Sequence, residues 1–138
     1  MKNSIITLTL FSVVIIFNKC SGPYNDGTYE GRSQSFYTKE PYVGFVRLEI
    51  KNGYISSVDY KIVDTLTNEI FDDRYERHYT GNKKYIQQCR NDWKGVNAYP
   101  AKLLQMQDPG KIDAISGATW SCNIFRQSAI EALEKAKK

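Results

Sequence analysis

The sequence predicts an α+β domain: an antiparallel sheet containing a β-hairpin, packed against several helices, with a motif loop leading into a C-terminal helix. Three observations predict it. Two alternating strands flank Asn52-Gly53, helical spacing takes over after Thr65, and the C-terminal segment carries one apolar stripe. The 138 residues, 41% hydrophobic and 25% charged, suit a single core, since domains commonly run to about 100–150 residues. The formal charge of +4, of which Lys2 and Lys19 supply two, is too weak to argue for nucleic acid as a partner.

Residues 1–20 read as an export leader. Lys2 precedes an uncharged run from Ile5 to Phe17, shorter than the roughly 20 residues that span a bilayer as a helix and suited to a secretory apolar region. Cys20 with Ser21-Gly22-Pro23 behind it resembles the end of a bacterial lipoprotein signal, with Cys20 as the lipidated residue. Lys19 stands where that signal has a small residue, so an uncleaved or differently cleaved leader is the alternative. Residues 21–25 read as a linker and 26–138 as the domain. The predicted location is therefore the exterior or periplasmic side of a membrane, held by a lipid or by the leader.

Within the domain, Gly27-Thr28-Tyr29-Glu30-Gly31 suits a first strand. Val46, Leu48 and Ile50 alternate with Arg47, Glu49 and Lys51, and Val58, Tyr60 and Ile62 alternate with Asp59 and Lys61. Asn52-Gly53 between them signals a type I′ turn, because both central positions need positive φ. Ile70, Phe71, Tyr75 and Tyr79, then Tyr85, Ile86, Cys89 and Trp93 after the Gly81-Asn82 break, predict two short amphipathic helices, with Asn82 capping the second. Pro100 suits the first turn of a further helix carrying Leu103, Leu104 and Met106. Asp108-Pro109-Gly110 suits a type II turn. Cys122, Phe125, Ala129, Ala132, Leu133 and Ala136 form the stripe of the last helix.

The chemistry gathers at Lys111–Trp120, KIDAISGATW, between a turn and that helix. Ser116, Gly117, Ala118 and Thr119 place hydroxyls at a helix start, where about four N–H groups lack partners and a phosphate is favoured. Gly117 lets a ligand approach the backbone. The plainer reading is an N-cap at Ser116 or Thr119. Asp113 is open to the same two readings, as part of the motif or as a loop carboxylate capping a turn. Arg90, Asp92 and Trp93 read as a solvated polar face with a buried Trp, the other possibility being a pocket lining. His78 reads as a helix-surface residue. Cys89 and Cys122 read equally as free thiols or as a bridge, and no residue spacing suggests a metal site.

Asp113-Ala114-Ile115-Ser116-Gly117-Ala118-Thr119 resembles the flavinylation motif of the FMN-binding domain family: Asp, two variable residues, Ser or Thr, Gly, Ala, then Thr or Ser. Its members occur in sodium-pumping NADH:quinone oxidoreductases, in Rnf-type complexes and as small membrane-anchored proteins. The resemblance implies FMN attached covalently through a phosphoester to Thr119, with Asp113 presenting the hydroxyl to a flavin transferase that uses FAD and a divalent metal. It also implies membrane redox proteins as donor and acceptor. Gln107 occupies a position where the family often carries Gln. Trp120, Trp93 and Tyr99 are candidate neighbours of the flavin ring. No Ser-His-Asp set, phosphate-binding loop or nicotinamide site is recognisable, so a redox carrier is favoured over a stand-alone enzyme. A reductase with non-covalent FMN and an exported binding module without flavin are the alternatives.

Overall fold

The protein is described by a computed structural model over residues 21–33 and 40–138. The leader and Cys20 lie outside the described residues. The chain forms β1 (Gly27–Arg32), β2 (Tyr42–Lys51), β3 (Tyr54–Asp64) and β4 (Glu69–Ile70), a 3-10 turn at Tyr75–Tyr79, α1 (Lys83–Met106), a second 3-10 turn at Pro109–Lys111, and α2 (Thr119–Ala136). The strands pair antiparallel in the order β1-β2-β3-β4. α2 covers β1 and β2 while α1 lies against β3, which is the predicted α+β architecture.

Alternation decides which face is covered. Val46, Leu48, Ile50 and Ile55 point inward against Tyr99, Leu103, Cys122, Phe125, Ala129, Ala132, Leu133 and Ala136. A second cluster, Ile62, Phe71, Tyr75, Cys89, Val96 and Ile124, closes the other end of the sheet. The opposite face carries cross-strand neighbours Glu30, Arg47 and Asp59, whose alternating signs suit water. The stripe expected on the last helix is buried along its whole length. Cys89 and Cys122 are buried free thiols, and burial pushes both upward in pKa.

At the hairpin, Asn52 and Gly53 adopt φ of 55° and 79°, the positive pair that a type I′ turn requires. The Asp26 carboxylate accepts from both of their amides, at 3.0 and 2.7 Å. Residues 21–25, expected as a linker, hydrogen-bond to the hairpin and to the end of α2: Gly22 N donates to Asn52 O, Tyr24 N to Gly53 O, and Asn25 N to Ala136 O. Gln107 ties the end of α1 to the same hairpin, accepting from Ile55 N at 2.7 Å and donating to Ile55 O at 2.9 Å.

Three expectations are corrected. The first of the two short helices is a strand and one 3-10 turn, because Phe71 N donates to Ile62 O and prolongs the sheet pairing past Ile70. The second short helix and the one beginning at Pro100 are a single helix, α1, with Pro100 in its interior. An interior proline costs about 3 kcal/mol, here outweighed by burial of Val96, Tyr99 and Leu103 around it. Asp108-Pro109-Gly110 is a 3-10 turn in which Asp108 accepts from Gly110 N, and Gly110 lacks the positive φ of a type II turn. Asn82 does cap α1, accepting from Tyr85 N. His78 is exposed and hydrogen-bonds Glu69. Among the described residues no helix is long and apolar enough to cross a membrane.

A Cβ at position 53 would meet Gly22 N at 2.5 Å in a backbone conformation disfavoured for side chains. Gly53→Ala should lower stability by about 1–2 kcal/mol, read as a lower urea midpoint; an unchanged midpoint would contradict this account of the turn.

Candidate functional site

The site is the N-terminus of α2 and what holds it. Ile112 is buried and anchors the approach, while Asp113, Ala114 and Ser116 are exposed. Arg126 donates to Ile112 O at 2.6 Å and steadies the loop from α2. Gly117 has φ 78°, and a Cβ there would meet Asn91 Nδ2 at 2.5 Å. Ala118 is fully buried and stands at the N-cap, and Thr119 follows as the first helical residue with its side chain in an exposed position. Neither Ser116 nor Thr119 caps the helix: the capping residue is Ala118, with no side-chain hydrogen bond of its own.

The missing cap comes from α1. Asp92 Oδ1 accepts from Ser121 N at 3.1 Å and from Ser121 Oγ at 2.8 Å. Its other oxygen accepts from Gln88 Nε2 at 2.6 Å, and the same Nε2 donates to Gly117 O at 2.9 Å. Tyr99 completes the clamp, donating its hydroxyl to Ala118 O at 2.8 Å and accepting from Ile115 N at 3.2 Å. Burial pushes the Tyr99 phenol up to about 12, so it keeps the proton it donates. The two helices meet closely here, since a Cβ on Gly95 would lie 2.8 Å from Ser121 Oγ.

These contacts leave the first turn half satisfied. Ala118 N donates to Ile115 O and Ser121 N to Asp92, whereas the amides of Thr119 and Trp120 have no acceptor among the described residues. Two N–H groups and the positive end of α2 therefore sit beside the Thr119 hydroxyl, an arrangement suited to one phosphate charge. Next to it, Tyr42, Phe71, Tyr79, Tyr85 and Trp120 line a cavity of about 190 Å³. The Trp120 ring lies 5.1 Å from Tyr42 and 5.4 Å from Phe71, and its Nε1 donates to Glu40.

The sequence reading placed Thr119, Ser116, Gly117, Ala118, Asp113 and Trp120 at the site. The structure brings Gly117, Ala118, Thr119 and Trp120 together with the clamp, and leaves Asp113 and Ser116 exposed on the loop without a hydrogen bond to any described residue. Of the other ring candidates, Tyr99 is core and Trp93 borders a separate charged hollow with Asp72, Glu76 and Arg90. The solvated face expected at Arg90, Asp92 and Trp93 is corrected for Asp92, which is only 2% exposed. Arg90 does face water, paired with Glu76. Sequence reasoning missed Gln88, the Tyr99 hydroxyl and Ser121; the spacing of Gln88 and Asp92, one helical turn apart, was the available signal.

A helix terminus that offers open amides beside a hydroxyl and an aromatic cavity defines a class of site for a phosphorylated, ring-bearing cofactor. The sequence model of the FMN-binding domain matches residues 41–134, and the chain belongs to this family of FMN-binding proteins. A crystal structure of a Clostridium perfringens protein is similar in fold, with a TM-score of 0.57 and 24% identity, covering 82% of this chain and 88% of that one. A solution structure of a Clostridium thermocellum protein gives a TM-score of 0.46 and 28% identity, covering 82% and 92%. No curated protein matches the chain.

The cavity wall carries a phenol chain: Tyr42 and Tyr75 hydroxyls lie 2.8 Å apart, and Tyr75 donates to Asp64 at 2.7 Å. Burial, with the neighbouring Asp64, pushes Tyr75 up to about 12. A folded pKa above the unfolded value of about 10 gives stability that is whole below pH 10 and lost as pH climbs towards 12. Melting temperature should fall across pH 10–12, and Tyr75→Phe should flatten part of that fall; an equally steep fall in the variant would contradict the assignment.

Proposed function

We propose that this protein is an exported, membrane-anchored electron carrier whose FMN is bound covalently through a phosphodiester to Thr119. One observation carries the reading: Thr119 is exposed at a helix N-terminus with two open amides, beside an aromatic cavity of only about 190 Å³. Pockets that bury a drug-sized ligand enclose about 300–1,000 Å³. A cofactor larger than its cavity is poorly retained by burial, so a bond at Thr119 answers a need that this geometry creates. The residues fit the group: the amides of Thr119 and Trp120 suit the phosphate, and Trp120 with its aromatic neighbours suits one edge of the ring.

A threonine hydroxyl is a weak nucleophile at neutral pH, which is the reason for a partner flavin transferase with a divalent metal. In the attachment step Thr119 Oγ attacks the phosphorus of the FMN half of FAD. The pyrophosphate bond breaks, AMP leaves, and the hydroxyl proton passes to a base of the transferase. The remaining negative charge lies at the positive end of α2, worth about 0.3–1 kcal/mol if exposed. Asp113 and Ser116, exposed and without a hydrogen bond to any described residue, are available for the transferase to read. When bound, FMN supplies the redox chemistry, and the chain supplies its position and surroundings.

In this proposal two tasks are kept apart. α2 runs from Thr119 to Ala136, 18 residues or about 27 Å at about 1.5 Å per residue. Its far end meets the segment leaving Cys20, through the Tyr24–Lys137 bridge. In this reading the membrane anchor lies at one pole and the flavin at the other, turned towards donor and acceptor proteins on the water side.

Peptide mass spectrometry of protein from the membrane fraction tests the reading. FMN should appear on Thr119, vanish in Thr119→Ala and persist in part in Thr119→Ser, while Asp113→Ala should fold normally and carry little flavin. FMN on Ser116 or Ser121, or covalent flavin in Thr119→Ala, would overturn it.

A further inference from the structure

Asp92 is a carboxylate 2% exposed, and its contacts among the described residues include no cation. A buried charge is costly unless hydrogen bonds replace its water. Here they come from Gln88, Ser121 N and Ser121 Oγ, so the carboxylate is held by the very backbone that begins α2. The choice of amide matters. Asp92 takes the third N–H of the helix and leaves the first two open. Gln88, exposed at the rim of the same cavity, links that carboxylate to Gly117 O, two residues before Thr119.

We propose that Asp92 and Gln88 are positioning residues for flavin attachment: they fix the start of α2 from α1 so that the Thr119 hydroxyl is presented with the Thr119 and Trp120 amides open for the phosphodiester. The proposal rests on Thr119 being the attachment residue. A cap donated by Ser116 or Thr119 itself would occupy the hydroxyl or the amides that attachment needs. A cap reaching in from α1 satisfies the helix and leaves both free. The carboxylate works through geometry, and the proton of Thr119 still passes to the transferase.

The chemistry of each variant is distinct. In Asp92→Asn the one remaining oxygen can accept from Ser121 only with its NH2 turned onto the NH2 of Gln88, two donors face to face, so the bond to Ser121 N is weakened. Gln88→Ala removes an exposed side chain and frees Gly117 O while sparing the core.

The test uses the full-length chain with a flavin transferase, FAD and Mg²⁺, following the initial rate of flavin incorporation against acceptor concentration. A core variant at the far end of the sheet, Ile50→Val, serves as a stability control. Gln88→Ala and Asp92→Asn should melt cooperatively and show a turnover of labelling down about tenfold with little change in KM, as expected when an interaction needed for the reacting geometry is lost. Amide hydrogen exchange in the flavin-free protein should quicken at Ser121 in Asp92→Asn. Ile50→Val should label at the wild-type rate.

Wild-type labelling of both variants, or an equal loss in Ile50→Val, would overturn the proposal. Failure of the Thr119 assignment is distinguishable: wild type and Thr119→Ala would then label alike, while the exchange measurement would still report whether Asp92 holds Ser121.

Discussion

The hydrogen bonds from Ser121 to Asp92 join the two helices at the one place where the fold becomes a site. α2 begins at a buried alanine, which has no side-chain acceptor to offer its first turn. Without a partner from α1 the third amide would be buried and unsatisfied, a loss of about 1–3 kcal/mol. Asp92 can reach it because Gly95, one turn further along α1, lets the helices approach. Tyr99, one turn beyond that, clamps Ala118 O and Ile115 N. One face of α1 thus fixes the loop, the cap and the helix start together.

The sheet supplies the frame for that contact. β2 and β3 run from the aromatic cavity at Tyr42 to the hairpin turn at Asn52-Gly53, where Asp26, Gln107 and residues 21–25 converge. The hairpin end is tied by backbone and carboxylate hydrogen bonds. The cavity end is closed by rings: Tyr42, Phe71, Tyr75 and Trp120 meet at centroid distances of 5.1 to 6.0 Å. The first is suited to holding a chain that comes from elsewhere, the second to receiving a flat apolar group.

Much of this was legible in the residues. Alternation about Asn52-Gly53 gave the hairpin with its turn type, and the stripe from Cys122 to Ala136 gave the buried face of α2, because both are periodic local signals. The motif pointed to the FMN-binding family, whose model matches residues 41–134. Less legible were features decided by distant partners. Pro100 reads as a helix start, but burial of Val96, Tyr99 and Leu103 carries α1 through it. Phe71 reads as helical until the backbone of Ile62 is known to be waiting. Asp92 reads as a surface charge because nothing local says that it faces the bare end of another helix, 29 residues on. Caps supplied across the fold leave no signature at the terminus they serve.

The central claim is that the open amides of Thr119 and Trp120 receive the phosphodiester while Asp92 keeps Ser121. Amide NMR spectra of the flavin-free and flavin-loaded protein test it most directly. The account predicts that the Thr119 and Trp120 amides shift strongly downfield on loading, with phosphorus coupling or proximity to both, while Ser121 stays close to its starting position. Unmoved Thr119 and Trp120 amides, or a Ser121 amide released from Asp92 on loading, would contradict it.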